Sequence, residues 1–251
     1  MSIQTKNETW LILGASSSLA RAFAAEVAGQ GHDVILAGRD QDDMAATATD
    51  LTARFDIKAT PTAFDAMRME QHPTFAAAID AMAAGTLNIF LVFAQMPEQD
   101  DIDADPTLVV PTVTATYSGA VSVLHCLAPL LEQRQAGHVV IVGSVAGDRG
   151  RIKNYVYGSA KAGLHAYAQG LRARLFKSGI GVTTIKPGFL DTAMTWDAEG
   201  MFLVSSPQAA AADINKAVTK GKEVIYTPRF WWVIMTIIKH IPEAIMKKLA
   251  F

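Results

Sequence analysis

Three residues of the 251-residue chain have the types and spacing to put a proton onto a carbonyl oxygen: Ser144, Tyr157 and Lys161. Tyr157 and Lys161 are four apart in Tyr157-Gly158-Ser159-Ala160-Lys161, so a helix opening there carries both on one face. A tyrosine, titrating ordinarily near about 10, acts as a general acid at neutral pH only where its phenolate is stabilised, and a nearby ammonium does that. Ser144, in Gly143-Ser144-Val145-Ala146 at the end of a β-type run, adds a hydroxyl able to orient the carbonyl. A Tyr-x-x-x-Lys pair alone arises readily by chance; a serine thirteen residues upstream, placed after a strand, makes the set specific.

A second group of residues suits an anion. Gly14-Ala15-Ser16-Ser17-Ser18-Leu19-Ala20 forms a small-residue turn feeding a helix, where free N–H groups and the positive helix end can hold a pyrophosphate. The same residues also read as a serine-capped helix start. Leu36-Ala37-Gly38-Arg39 ends the second β-type run without the acidic residue that grips a ribose 2′-hydroxyl. Arg39 offers a guanidinium for a 2′-phosphate, which favours NADP(H) over NAD(H); the other reading is a surface arginine. Asp65, after Ala63-Phe64, either reaches the adenine or caps a following helix.

The elements that must position these residues alternate along the whole chain. Trp10–Leu13, Asp33–Ala37, Leu87–Phe93, His138–Val142 and Gly181–Ile185 are strand candidates, with Glu223–Tyr226 a weaker sixth. Their near-continuous apolar character predicts strands covered on both faces, and helical patterns such as Ser17–Ala28 lie between them. The expectation is α/β: a single-domain, doubly wound parallel sheet with helices on both faces, over residues 1–251, ending in an amphipathic tail at 228–251. The acidic stretch Glu98–Asp105 reads as a solvated surface loop rather than a metal site, and no metal is expected.

Composition narrows the function. With 50% hydrophobic and 18% charged residues the chain is too apolar for disorder, and a net charge of -2 argues against nucleic acid. The lone Cys126 excludes a disulfide framework within the chain and reads as a small core residue in a reducing compartment. Met1 to Thr9 lacks the pattern of a secretory signal, so a cytoplasmic chain is expected. The apolar run Phe230–Ile238 is about half the roughly 20 residues of a spanning helix, so no transmembrane span is expected.

At these motifs the sequence resembles the short-chain dehydrogenase/reductase family over essentially its full length, which implies a Rossmann-type fold and a nicotinamide cofactor. The resemblance implies that Tyr157 protonates the substrate oxygen, and that Lys161 binds the nicotinamide ribose and lowers the Tyr157 pKa. It also implies that Pro187-Gly188-Phe189-Leu190-Asp191-Thr192 contacts the nicotinamide end, through Pro187, Gly188, Leu190 and Thr192. The chain departs from the family at Ser18 and Ala20, where glycines are usual, and at Val92-Phe93-Ala94-Gln95, where Asn-Asn-Ala-Gly is usual and Ala94 keeps the cofactor-facing position. Thr116 stands in place of the helix asparagine that holds a relay water, which puts the proton relay in doubt.

Gly143 to Arg151, Asn154 and Tyr157 to Leu164 are similar to the decaprenylphosphoryl-2-keto-ribose reductases, as is the tail Pro228-Arg229-Phe230-Trp231-Trp232, Ile241-Pro242-Glu243 and Lys247-Lys248-Leu249. That resemblance implies a lipid-linked keto sugar as substrate and a flavin-dependent oxidase as partner. The tail, with paired tryptophans and Lys239, Lys247 and Lys248, suits a lipid interface or polyprenyl groove, or else a subunit interface or a helix closing the pocket. Arg149 and Arg151 either bind a phosphate or are solvated loop charges, and Met194, Trp196 and Met201 belong to a substrate lid or to the core. The resulting expectation is an NAD(P)H-dependent carbonyl reductase, a homodimer or homotetramer with peripheral membrane contact. The alternatives are a 3-oxoacyl-thioester or general ketone reductase and a non-catalytic NADP-binding regulator.

Overall fold

Strands and helices alternate throughout the computed structural model, which describes residues 8–191 and 204–249. The first half runs β1 (Glu8–Leu13), α1 (Ser18–Ala28), β2 (Asp33–Gly38), α2 (Gln41–Phe55), β3 (Ala59–Ala63), α3 (His72–Met82) and β4 (Thr86–Leu91). It continues through α4 (Gln99–Ala104), α5 (Val109–Val113) and a π-helical turn, Thr114–Ser118, into α6 (Gly119–Arg134). The second half holds β5 (His138–Val142), α7 (Tyr155–Phe176), β6 (Gly181–Pro187), α8 (Pro207–Thr219) and β7 (Val224–Thr227). Two short helices close it, α9 (Trp231–Lys239) and α10 (Glu243–Met246).

All seven strands form one sheet in the order β3-β2-β1-β4-β5-β6-β7, and every pairing is parallel. Successive side chains of a strand point to opposite faces, so the apolar strands feed two separate cores. Leu11 and Leu13 of β1 join Ile79, Leu124, Leu127 and Leu164 on one face. Trp10 and Ile12 join Phe23, Met44, Leu51 and Ile214 on the other. The strand order reverses direction between β1 and β4, and in such sheets the ligand crevice lies at that point, beyond the strands' carboxyl ends.

Several sequence expectations need correction. β3 is a seventh strand with no apolar signature: Ala59-Thr60-Pro61-Thr62-Ala63 lies at the sheet edge, half-buried, where a proline is tolerated. The fourth strand stops at Leu91 rather than Phe93. The acidic stretch is not a loop but contains α4, tied down by the Gln99 amide donating to Asp103 at 2.9 Å and by the Tyr155 hydroxyl on the same carboxylate. Residues 106–134 form a continuous helical stretch long and apolar enough to cross a bilayer by length and composition. Val123, Leu124, Leu127 and Leu131 on it are nonetheless packed in the core beside the sheet. Cys126 lies at the margin of that core, its thiol pushed up by burial.

Candidate active site

Ser144 follows β5 directly and begins a single 3₁₀ turn, Val145–Asp148; its Oγ caps that turn by accepting the Ala146 N–H at 3.1 Å. Tyr157 lies in the first turn of α7, and Lys161 one helical turn further on the same face. Both are buried, at 6% and 2% exposed, and a buried lysine is rare enough to demand a partner. Lys161 Nζ donates to the Val142 carbonyl at 2.8 Å, at the end of β5, and stands 5.8 Å from the Tyr157 ring centre.

The electrostatics differ from the simple picture of an ammonium depressing a phenol. Burial pushes the Tyr157 hydroxyl up to about 12, outweighing its hydrogen bond with Ser144, which acts in the opposite sense. Burial also brings Lys161 down to about 7, so its charge is balanced near neutrality. In this geometry Ser144 is the group that favours the phenolate. Tyr157 is therefore held protonated at neutral pH, in the form that can give a proton to a carbonyl oxygen.

The turn after β1 is arranged differently. Gly14, at φ 90°, and Ala15 direct their N–H groups at the Ala37 carbonyl of β2, at 2.9 and 3.1 Å. Ser17 is the N-cap of α1, its Oγ accepting from Ala20 at 3.1 Å. The N–H groups of Ser16, Ser18 and Leu19 have no acceptor among the described residues. The serine cap is thus observed, and the three open donors beside it, at the start of an 11-residue helix, fit a pyrophosphate.

At the end of β2 the Asp40 carboxylate caps α2 by accepting from Asp43 at 3.0 Å, while the exposed Arg39 has no ion pair or hydrogen bond among the described residues. Asp40 is thus committed to the helix, and the Arg39 guanidinium stands open to solvent. Asp65 makes a local turn, Oδ1 accepting from Met67 at 2.9 Å, and does not cap α3. Thr116, fully buried in the π-helical turn, accepts the Gln95 N–H at 3.2 Å and donates to the Gln95 carbonyl at 3.1 Å. Its hydroxyl fixes the loop that carries Ala94, and π turns recur at such functional sites.

Beyond β6, Pro187 and Gly188 meet the tail. A side chain on Gly188 would lie 1.9 Å from the Trp231 indole nitrogen, so only glycine lets this turn pass. Trp231 is buried with Val145, Tyr226 and Met235 beneath the serine turn, while Trp232 is 58% exposed. The paired tryptophans therefore divide the alternatives for the tail: one closes the base of the site and the other faces outward. Leu190 is buried and bridges to Ser205; Thr192, Met194, Trp196 and Met201 lie outside the described residues.

A family model for short chain dehydrogenases matches residues 8–201, which include the phosphate-type turn and the whole serine, tyrosine and lysine set. The chain belongs to the short-chain dehydrogenase family. With that family it belongs to the NAD(P)-dependent oxidoreductases. It is 33% identical over 218 residues to an uncharacterised oxidoreductase of Mycobacterium tuberculosis, covering 87% of each chain. It is 30% identical to one of Streptomyces coelicolor, covering 95% of this chain and 94% of the other. Among solved structures, a ketone-specific alcohol dehydrogenase of Comamonas testosteroni superposes with a TM-score of 0.78 at 18% identity, over 96% and 97% of the two chains. A short-chain dehydrogenase of Sphingobium yanoikuyae, in complex with NADPH, gives 0.75 at 23%, over 94% and 97%. These likenesses place the short-chain dehydrogenase fold on the whole described chain. Sequence reasoning found Ser144, Tyr157 and Lys161 but missed His165, whose Nε2 accepts the Ser144 N–H at 3.3 Å; a histidine inside an alanine-rich helix carries no local signal of that contact.

Proposed function

We propose that the protein is an NADP(H)-dependent carbonyl reductase acting on the keto group of a lipid-linked, phosphate-bearing sugar. The observation that carries the reductase reading is Ser144, half-buried at the carboxyl end of β5, facing the buried Tyr157 and Lys161 of α7, on a sheet whose first turn leaves three amides open among the described residues. When bound, the dinucleotide supplies a hydride. Ser144 orients the carbonyl, Tyr157 gives its phenolic proton to the oxygen, and Lys161 is placed to hold the nicotinamide ribose. Ser16, Ser18, Leu19 and Arg39 would hold the phosphates, with Ala94, Asp65 and the Pro187–Gly188 turn along the cofactor.

The phosphate-bearing substrate is supported by one of the two arginines between Ser144 and Tyr157. Arg149 is committed to the tail, donating to the Ile241 carbonyl at 3.2 Å and the Glu243 carboxylate at 2.6 Å. Arg151 is half-buried within reach of the Asp148 charge, and its Nε has no hydrogen-bond partner among the described residues. A guanidinium nitrogen left in that state, on the segment between Ser144 and Tyr157, suits an anionic group. The outward face of the tail, Trp232, Val233 and Ile237, suits the lipid part and peripheral membrane contact. A flavin-dependent oxidase upstream would form the keto group, and a homodimer or homotetramer is the expected assembly.

NADPH oxidation by the purified protein, measured with polyprenyl-phosphate keto sugars, 3-oxoacyl thioesters and simple bulky ketones, tests this reading. Turnover of the phosphate-bearing keto sugar, lost in Arg151→Ala but kept for the simple ketone, is the expected result. Preference for the thioester would overturn the substrate, and NADPH binding without turnover of any carbonyl would overturn the reductase.

A further inference from the structure

Four polar side chains beneath the serine turn take no part in the chemistry described above: Asp148, His165, Lys186 and Tyr226. Asp148 ends the turn that Ser144 begins, and its side chain is 3% exposed. Lys186, next to Pro187 on β6, pairs with its Oδ1, and the Tyr226 hydroxyl on β7 donates to Oδ2 at 2.6 Å. His165, one helical turn beyond Lys161 on α7, puts Nδ1 3.6 Å from the same Oδ1, beyond hydrogen-bond length, and accepts the Ser144 N–H on Nε2. A side chain on Gly143 would lie 2.2 Å from that nitrogen, so the imidazole occupies the space under the strand end.

Burial, reinforced by Lys186 and Lys161 and opposed by Asp148, brings His165 down to about 3, so the ring is neutral across the working range. A neutral ring accepting on Nε2 carries its proton on Nδ1, the side that faces Asp148. The serine turn is thus tied at its first residue by a histidine from the tyrosine's helix. It is tied at its last residue by a lysine from the strand that leads into the Pro187–Gly188 turn.

We propose that His165 and Asp148 are positioning residues of the reductase centre: His165 sets the backbone of Ser144 against α7, and Asp148 sets the serine turn against β6 and its Pro187–Gly188 turn. Neither touches the reacting atoms. They fix the spacing of the three segments that meet there, and a misplacement of about 1 Å in such a centre costs on the order of a hundredfold in rate.

The proposal rests on the reductase reading, and its test separates the two. His165→Leu removes the acceptor, whereas His165→Gln puts an amide oxygen near the position of Nε2. With any carbonyl that the wild type reduces, His165→Leu should lower kcat about 10- to 100-fold, with the NADPH Kd within about twofold and KM little changed, and His165→Gln should restore most of the loss. Tyr226→Phe, which removes one donor from Asp148, should lower kcat by a smaller factor, about three- to tenfold, in the same pattern. Equal kcat for the Leu and Gln variants, or a loss that follows melting temperature and NADPH affinity together, overturns the proposal. The amide proton of Ser144 gives a readout independent of turnover: its hydrogen-bonded shift should vanish in His165→Leu and persist in His165→Gln. A wild type that reduces no carbonyl but shows that pattern refutes the reductase reading alone, and absence of the pattern refutes the proposed contact.

Discussion

The turn after β1 and the turn after β5 stand at the same carboxyl end of one parallel sheet, yet they treat their polar groups in opposite ways. After β1 the side chains are small, and the amides of Ser16, Ser18 and Leu19 have no acceptor among the described residues. After β5 nearly every group is engaged: Ser144 by His165 and Ala146, Lys161 by Val142, Asp148 by Lys186 and Tyr226. A turn that receives a charged ligand keeps donors open, because the ligand completes them. A turn that performs chemistry is fixed beforehand, because reorganisation during the reaction is costly. Substitutions after β5 should therefore act on kcat, and substitutions after β1 on cofactor affinity.

The largest effect should come from Tyr157→Phe, which keeps the packing of a buried ring and removes its proton. A loss of about a thousandfold in kcat is expected, within the usual range for a general acid, with NADPH binding near normal. Steady-state rates with fluorescence titration of NADPH would check both; full activity in the variant would break the division of labour between the two turns.

Histidines held neutral at the two ends of β5 should also reveal themselves through pH. His138, at the start of β5, is brought down to about 4 by burial, and His165 to about 3. Between about pH 6.5 and those values the unfolded chain takes up protons that the folded one refuses, so folding stability falls as the pH drops. Each histidine should remove roughly 2 kcal/mol by pH 5. Urea unfolding at pH 7 and pH 5 measures this, and His138→Gln should flatten part of the acid limb; a flat profile in the wild type would mean that these rings are not held neutral.

How much of this could be read from the chain follows from the range of the interactions. The strands β1, β2, β4, β5 and β6 were legible because burial on both faces makes them apolar runs, whereas β3 is a half-buried edge built of threonine, proline and alanine and carries no such mark. Ser144, Tyr157 and Lys161 were legible because a strand end and one helix face fix them within 18 residues. Asp148, His165, Lys186 and Tyr226 come from four elements, and only the closed sheet brings them together. The tail was legible as amphipathic, but which of Trp231 and Trp232 turns inward depends on the space that Gly188 leaves.

A smaller effect, confined to the cofactor end, is expected from Arg39→Ala. Loss of a charge-assisted contact should raise the NADPH Kd about tenfold and leave NADH unchanged, since the side chain has no other partner among the described residues. Equal effects on the two cofactors would remove the 2′-phosphate from the argument and leave NAD(H) as the better fit.

The smallest effect distinguishes the two functions within the first turn itself. Ser17 gives its hydroxyl to the helix, while Ser18 lies in the first helical turn with its amide open among the described residues. Ser17→Ala should therefore cost about 1 kcal/mol of stability, the usual value of a lost cap. Ser18→Ala keeps the amide and should change stability by less than about 0.5 kcal/mol, with NADPH affinity retained. If Ser18→Ala weakened NADPH as strongly as Arg39→Ala, hydroxyl groups rather than amides would be holding the phosphate, and the contrast between an open turn and a closed one would have to be redrawn around side chains.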